Sequence, residues 1–328
     1  MKIKKSKRFF VSVVSFLAIV SFLCVYATAA IAKYPEKPVS VIVPFGPSGS
    51  TGTSVNQIIP YLSKYLGQKV IMVNKGGAGG RIGATEAYKA KPDGYTLLAH
   101  NLPTAILGQL VFNAKYDMEK FVQIYGWIKE PILLAVHKDS PFKTFEELMA
   151  AGKKEEVSCA IVGFGATSHV LSVSLKQAGL KHRIIPFGSG SKAVKALLGK
   201  NADFGLPAAI SSKPHYDDGR IRVLAIASEE PFPTYPGIPT FKELGYDIEL
   251  SMYRGLMGPP GMDESIVKIL ADAMEKALKD PEYLEMAKKS GEPVTPMDTA
   301  TWKKVIQRSF VELKKLAPDM KADMAKNK

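Results

Sequence analysis

Two glycine-rich stretches near the start of the chain carry the residue types best suited to holding a small anion. The first is Pro44-Phe45-Gly46-Pro47-Ser48-Gly49-Ser50-Thr51-Gly52, between an apolar run and a helical pattern. The first N–H groups of a helix have no partner within it, and the helix dipole is positive at that end. Ser48, Ser50 and Thr51 add hydroxyl donors, so a loop of this kind can hold a carboxylate or phosphate without a cationic side chain. The second stretch, Asn74-Lys75-Gly76-Gly77-Ala78-Gly79-Gly80-Arg81-Ile82-Gly83, allows close approach of the backbone to a ligand or to an opposing domain, with Arg81 able to meet an anion. Gly77, Gly79 and Gly83 also fit a dinucleotide loop. That loop should follow the first strand, and the next strand should end on an acidic residue for the ribose; here that strand ends in His100-Asn101.

The second half of the chain has matching parts. Gly163-Phe164-Gly165-Ala166-Thr167-Ser168-His169 and Pro186-Phe187-Gly188-Ser189-Gly190-Ser191 each run from a strand-like segment to a helix start. Both halves therefore offer hydroxyl-rich helix N-termini at strand ends, suited to gripping an acid from two sides.

Signals for catalysis are mostly absent. There is no Gly-x-Ser-x-Gly elbow and no His-Glu-x-x-His. The five His (His100, His137, His169, His182, His215) are scattered and lack Cys pairs, so neither a metal nor a cofactor is expected. Cys159, in the apolar run Val157–Val162, reads as a buried inert thiol.

The elements that must position these loops follow from hydropathy patterning. Val39–Val43, Lys69–Val73 and Tyr95–Ala99 read as strands. Between them lie a helical pattern over Val55, Ile58, Ile59, Leu62 and Leu66, with Pro60 set to kink or divide it, and a short helix at Ala84–Ala90. After residue 130 the theme repeats: strands at Ile132–Val136, Val157–Val162, Arg183–Pro186 and Arg222–Ala227, with helices after Thr144, at Ser168–Ala178 and at Lys192–Leu198. Two helices close the chain, one with Ile266, Ile269, Leu270, Ala273, Met274 and Leu278 on a single face, the other with Trp302, Val305, Ile306, Leu313 and Leu316. Alternating strands and helices imply an α/β fold with parallel sheets. We divide it into a first domain at 33–130 plus 238–328 and a second at 131–237, with the ligand in the cleft between them.

Composition excludes other classes. The chain has 328 residues, 46% hydrophobic and 23% charged, which is not the composition of a disordered or fibrous protein. Residues 1–32 read as an export signal: Lys2, Lys4, Lys5, Lys7 and Arg8, an apolar segment Phe9–Tyr26, then Ala27-Thr28-Ala29 and Ala30-Ile31-Ala32, with cleavage expected after Ala32. Removing it lowers the net charge from +13 to +8, because five of the 44 basic residues and none of the 31 acidic ones lie there. The remaining Lys and Arg are scattered without interleaved aromatics, so no nucleic acid partner is expected.

Taken in order, these stretches resemble the periplasmic solute-binding proteins of tripartite tricarboxylate transporters, the Bug or TctC family. The resemblance starts at Tyr34-Pro35-Glu36-Lys37-Pro38 and Pro44-Phe45, and continues through Gly76–Gly83 and Pro92-Asp93-Gly94-Tyr95-Thr96-Leu97-Leu98. It then takes in Gly163–His169, Leu198-Gly199-Lys200-Asn201-Ala202-Asp203, Pro236-Gly237-Ile238-Pro239-Thr240-Phe241 and Gly258-Pro259-Pro260-Gly261. It implies a two-domain periplasmic binding protein of type II, the Venus-flytrap fold, that captures an organic carboxylate and, as a monomer, hands it to the permease subunits in the membrane.

The implied ligand set is Phe45, Ser48, Gly49, Ser50, Thr51, Gly79, Gly80, Arg81, His100 and Asn101 from the first domain, and Thr167, Ser168, His169, Phe187, Gly188, Ser189 and Gly190 from the second. The chain departs from the family pattern at Ser48, where Gly is usual, at Gly52, where Asp is usual, and at Gly188, where a basic residue is frequent. An exported enzyme or nucleotide-binding protein is the rival reading, and it needs a general base or nucleophile that the sequence does not offer. A closed receptor that signals to a sensor partner would share the fold.

Overall fold

β1 (Val39–Val43) is a five-residue apolar run with four residues buried, as suits a strand covered on both faces of a sheet. The computed structural model describes residues 34–47 and 49–326. The expected export signal and Ser48 lie outside the described residues. The residues from Lys37 on form one compact unit, to which all that follows belongs.

After β1 come α1 (Ser50–Leu66), β2 (Val70–Asn74), a single 3-10 turn (Ala78–Gly80), α2 (Arg81–Tyr88), β3 (Thr96–Leu102), α3 (Thr104–Phe112) and β4 (Val122–Pro131). Late in the chain β10 (Ser251–Gly258) and β11 (Val294–Met297) join them in a six-stranded sheet of order β11-β4-β10-β3-β1-β2. β1 is parallel to β2 and β3, whereas β10 is antiparallel to β3 and β4. The other sheet has order β7-β6-β8-β5-β9, built from β5 (Leu133–His137), β6 (Val157–Ile161), β7 (His182–Pro186), β8 (Phe204–Gly205) and β9 (Ile221–Ile226). Its helices are α4 (Phe145–Lys154), α5 (Thr167–Gln177), α6 (Gly190–Leu198) and α7 (Ala209–Asp217). α8 (Glu264–Leu278), α9 (Pro281–Ser290) and α10 (Thr299–Lys326) complete the chain.

Only Ile132 separates β4 of the first sheet from β5 of the second. The return passes through residues 240–250, where Phe241 and Ile248 pack in the core of the second sheet. The fold is thus the two-domain α/β architecture of periplasmic binding proteins.

Trp302 of α10 is fully buried against the first sheet. Its seat is a pair of facing glycines on adjacent strands, Gly126 of β4 and Gly255 of β10. A Cβ at these positions would stand 2.8 Å and 2.1 Å from the indole. Further along, Leu313, Ala317 and Met320 of α10 share one apolar cluster with Val170 and Val173 of α5, so the last helix packs on both domains.

Several expectations shift. α1 starts at Ser50 and runs unbroken through Pro60, which is exposed along with Asn56, so the carbonyl that loses its helical donor faces water. Among the α8 positions expected to be buried, Ile269 is 38% exposed, and Val267 takes the inner position instead. β3 extends past Ala99 to Leu102, which makes His100 and Asn101 strand residues.

Candidate functional site

Each parallel strand delivers its C-terminal end to a loop and a helix start, and these junctions cluster at one edge of each sheet. At the first, Pro44 and Phe45 leave β1, and Gly49 stands at the N-cap of α1 in extended geometry without a side-chain cap. Ser50 and Thr51 open the helix. A Cβ on Gly52 would lie 2.6 Å from the Pro47 carbonyl oxygen and 2.7 Å from that of Gly46. The loop therefore folds back on the helix at the position where the family pattern has Asp, and this arrangement admits no side chain there.

The second junction is tied to the first. Lys75 N–H donates to the Val43 carbonyl and Asn74 Nδ2 donates to the Phe45 carbonyl, both at 2.9 Å. Gly77, Ala78, Gly79 and Gly80 all have positive φ, from 49° to 122°. Such a run curls the backbone into a nest, closed by Gly80 N–H donating to the Gly77 carbonyl at 3.0 Å, so the N–H groups left to suit an anion are those before Gly80. A Cβ on Gly80 would stand 3.1 Å from His100 Nε2 and 3.2 Å from Phe45 Cε1 and Cζ. The Phe45 and His100 rings meet edge to face at 5.2 Å. Loop one, loop two and the end of β3 thus converge on Gly80.

His100 is buried, and Asn101 N–H donates to its Nδ1 at 2.8 Å. Nδ1 also lies 3.0 Å from the Asn101 carbonyl oxygen and 3.1 Å from Asn101 Oδ1, while Nε2 has no partner among the described residues. Burial pushes the His100 pKa down to about 4, so at neutral pH the ring is uncharged. Asn101 is also buried, its Nδ2 directed to Met252 Sδ at 3.0 Å.

On the second domain, Thr167 and Ser168 open α5. Ser168 Oγ accepts from Val162 N–H at 3.0 Å. His169, expected among the ligand contacts, is fully buried with both ring nitrogens engaged. Gly165 N–H donates to Nδ1 at 3.2 Å, and Nε2–H donates to Asp323 Oδ2 at 3.1 Å. Lys176 pairs with the other oxygen of Asp323. His169 holds the loop in shape and ties it to α10.

Phe187 and Gly188 donate their N–H groups to the Ile161 and Val162 carbonyls, continuing the β6–β7 ladder, so neither N–H faces the cleft. Ser189 caps α6, accepting from Lys192 N–H at 3.3 Å, and Gly190 is the first residue of that helix.

The two domains meet beside these junctions. Thr104 Oγ1 and Thr167 Oγ1 are 3.5 Å apart, and the Phe112 ring leaves no space for a side chain at Gly165, whose Cβ would lie 2.2 Å from it. Thr104 and Phe112, the two ends of α3, escaped the sequence reading. α3 is buried nearly all round, so it lacks the polar stripe that marks a surface helix. A third strand-to-helix junction, from His100-Asn101 to Thr104, was the signal available.

Behind loop one lies a buried polar group that patterning also missed. Ser54 of α1 hydrogen-bonds Glu292, and Trp127 Nε1 donates to Ser54 Oγ at 3.0 Å. Glu292 is held above the usual carboxylate range by burial. Nearby, Arg254 Nη2 donates to Glu130 Oε2 at 2.6 Å, both side chains being fully buried. The other oxygen of Glu130 accepts from Ile210 N–H at 2.5 Å, so a first-sheet carboxylate caps α7 of the second domain.

Among the described residues no group of three or more His, Cys, Asp or Glu is arranged to hold a metal ion. Cys159 is buried, and burial raises its thiol pKa well above the ordinary value. The remaining His serve structure; His182, for example, bonds Ser172 Oγ at 2.7 Å and the Leu180 carbonyl at 2.9 Å. What the site offers is neutral and main-chain donors, with Arg81 at its edge.

Comparison with known proteins agrees with this picture. The profile described as "Tripartite tricarboxylate transporter family receptor" matches residues 55–320. BugT of Bordetella pertussis is 31% identical over 315 residues, covering 88% of this chain and 96% of that protein. Among solved structures, the periplasmic binding protein BugD superposes with a TM-score of 0.80 at 28% identity, covering 88% of this chain and 98% of that one. MatC of Rhodopseudomonas palustris, solved with bound malate, has a TM-score of 0.79 at 26% identity, covering 87% of this chain and all of that one.

Proposed function

The chain belongs to the tripartite tricarboxylate transporter receptor family, and on that footing we propose that it is a periplasmic receptor that captures a small organic carboxylate between its domains and delivers it to a transporter of this type. Its family and structural neighbours are binding proteins, not enzymes. The observation that carries the reading for this chain is the convergence of Phe45, Gly80 and His100, which joins two anion-binding backbone junctions into one wall.

In this account one carboxylate lies against the start of α1 at Gly49, Ser50 and Thr51 and against the nest ending at Gly79 and Gly80. The donors are hydroxyls and the main-chain N–H groups not spent within the loops, as those of Gly49 and Gly80 are on the Gly46 and Gly77 carbonyls, with the neutral His100 ring beside Gly80. Asn101 backs this wall. Thr167 and the loop before it close from the second domain, with Ser189 and Gly190 further along the same edge; His169 acts by fixing that loop. Closure is favoured because a ligand touching both domains binds the closed form more tightly than the open one. The domain division, first at 33–130 plus 238–328 and second at 131–237, belongs to this proposal, as do export with cleavage after Ala32, a monomeric receptor and delivery to membrane permease subunits.

Calorimetric titration of the purified protein with a panel of carboxylic acids tests the function. Saturable binding of at least one acid is expected. Failure of every acid, together with tight binding of a neutral sugar or a metal ion, would overturn it.

A further inference from the structure

Phe112 is the last residue of α3, and Asn113 ends the helix at once with φ of 53°, its N–H donating to the Gly108 carbonyl. The ring is half-buried and packs beside the apolar cluster that holds Leu98, Leu102 and Trp302 of the first domain. The Arg81 guanidinium lies over its face, 4.1 Å from the centroid. Helix, cluster and cation together fix the ring on the first domain.

The edge of that ring rests on the second domain. A Cβ on Gly165 would lie 2.2 Å from Cε2, 3.0 Å from Cζ and 3.3 Å from Cδ2 of Phe112, and φ at Gly165 is +77°. Positive φ alone would still admit an Asn; the ring is what bars every side chain. Gly165 is itself held in place. Its N–H donates to His169 Nδ1, and His169 Nε2 bonds Asp323 of α10. Its neighbour Phe164 packs against the core of the second sheet. Thr167, two residues on, stands 3.5 Å from Thr104 at the other end of α3. Two preset surfaces thus meet between the domains: a fixed ring on one, and a bare stretch of main chain on the other. A contact made only when the domains are together adds to the affinity of every captured ligand, because it stabilises the form that binds.

We propose that Phe112 is a positioning residue for ligand capture: its ring seats on the bare backbone of Gly165 as the domains close, and this contact holds the closed form. The proposal rests on the reading of the chain as a receptor that closes on its ligand, and deepens it.

The test combines calorimetry with succinate, malate, glutarate, adipate and benzoate and urea unfolding without ligand, on the wild type, Phe112→Ala, Gly165→Ala and the double variant. Phe112→Ala should weaken every acid that the wild type binds by one common factor of about tenfold, because closing is shared by all ligands. A factor that varies from acid to acid would make Phe112 a ligand contact and overturn the proposal. Gly165→Ala should weaken binding by about 10- to 100-fold, the range for a methyl forced into packed space. Adding Phe112→Ala to it should restore part of the affinity while lowering the ligand-free stability further, since the ring also packs on the first domain. Wild-type affinity in Gly165→Ala, or a double variant that binds no tighter than Gly165→Ala, would overturn the proposal while the receptor reading stands. So would a ligand-free urea midpoint that Phe112→Ala restores in Gly165→Ala, which would make the contact a permanent joint. A wild type that binds none of the acids would sink both.

Discussion

Gly80 and His100 occupy each other's space: a side chain on Gly80 would begin 3.1 Å from His100 Nε2, with the Phe45 ring at 3.2 Å on the same side. A glycine there lets the backbone at the end of the nest lie flat on two rings from two other segments. The contact joins loop one, loop two and the end of β3, and it exists because φ at Gly80 is +92°, a value that side-chain-bearing residues rarely adopt.

Gly80→Val should therefore remove ligand binding while the protein still folds. Strain at positive φ costs on the order of 1–3 kcal/mol, which a domain of this size tolerates. Calorimetry should show at least about a tenfold loss of affinity, and urea unfolding should remain cooperative. Unchanged affinity would remove loop two from the site.

Gly52 carries a similar constraint within loop one. Its would-be Cβ lies 2.6 Å and 2.7 Å from two carbonyl oxygens of the loop. Gly52→Ala should push the loop off the start of α1, lowering stability by about 1–3 kcal/mol and weakening ligand binding. Gly52→Asp, which restores the residue usual in the family, should do no better. Full binding by the Asp variant would show that the loop has another fold available.

Acid should weaken the fold before its carboxylates begin to titrate. Burial depresses His100 and His182 from the ordinary 6.5 to about 4, and His169 is also lowered. Above about pH 6.5 these rings are neutral whether folded or unfolded, and their contribution is intact. Between 6.5 and 4 the unfolded chain takes up protons at His100 and His182 that the folded chain refuses, so stability falls by up to about 1.4 kcal/mol per pH unit for each of these two rings, and His169 adds in the same direction. Urea midpoints measured from pH 7 to 4.5 should decline, and His182→Gln should make the slope shallower whatever its effect at pH 7. A flat profile would contradict the burial of these rings.

The parts of the fold that could be read in the sequence were those whose periodicity meets water on one side or ends on a glycine. α1 was visible from Val55 to Leu66 because Asn56 and Pro60 face solvent between its buried positions, and Gly67 closes it with φ of 72°. β4, β10 and α3 were missed because burial all round leaves no alternation to count. At the site, glycine runs at strand ends pointed to backbone donors, and the structure gathers loop one, loop two and His100. It could not be read locally that His169 would be spent on Asp323, since that partner lies 154 positions along the chain. Nor could the N–H groups of Phe187 and Gly188 be assigned to a ladder before the pairing of β7 with β6 was known.

Asp323→Ala should loosen the second domain's loop from a distance. It leaves His169 Nε2–H and Lys176 without their acceptor, at a cost of about 1–3 kcal/mol. Ligand affinity should also fall, because His169 fixes the N–H of Gly165. A variant with lower stability and wild-type affinity would show that α10 supports the fold without shaping the site.

Glu130→Ala should be among the most damaging single changes. It strips the buried Arg254 of its counter-charge and α7 of its cap, and breaking such a pair costs about 3–5 kcal/mol. The double variant Glu130→Leu with Arg254→Met removes both charges and should recover much of the loss in urea unfolding. A double variant no more stable than Glu130→Ala would mean that the cap on α7, rather than the ion pair, carries the effect.

The central claim is that main-chain and neutral donors, gathered at Gly80, hold the acidic end of a metabolite. The most direct measurement is a pair of titrations of the wild type, one with the acid it binds best and one with the amide of that acid. The account predicts saturable binding of the acid and at least about a hundredfold weaker binding of the amide, which cannot place an anion in the nest. Equal affinity for the two would contradict it.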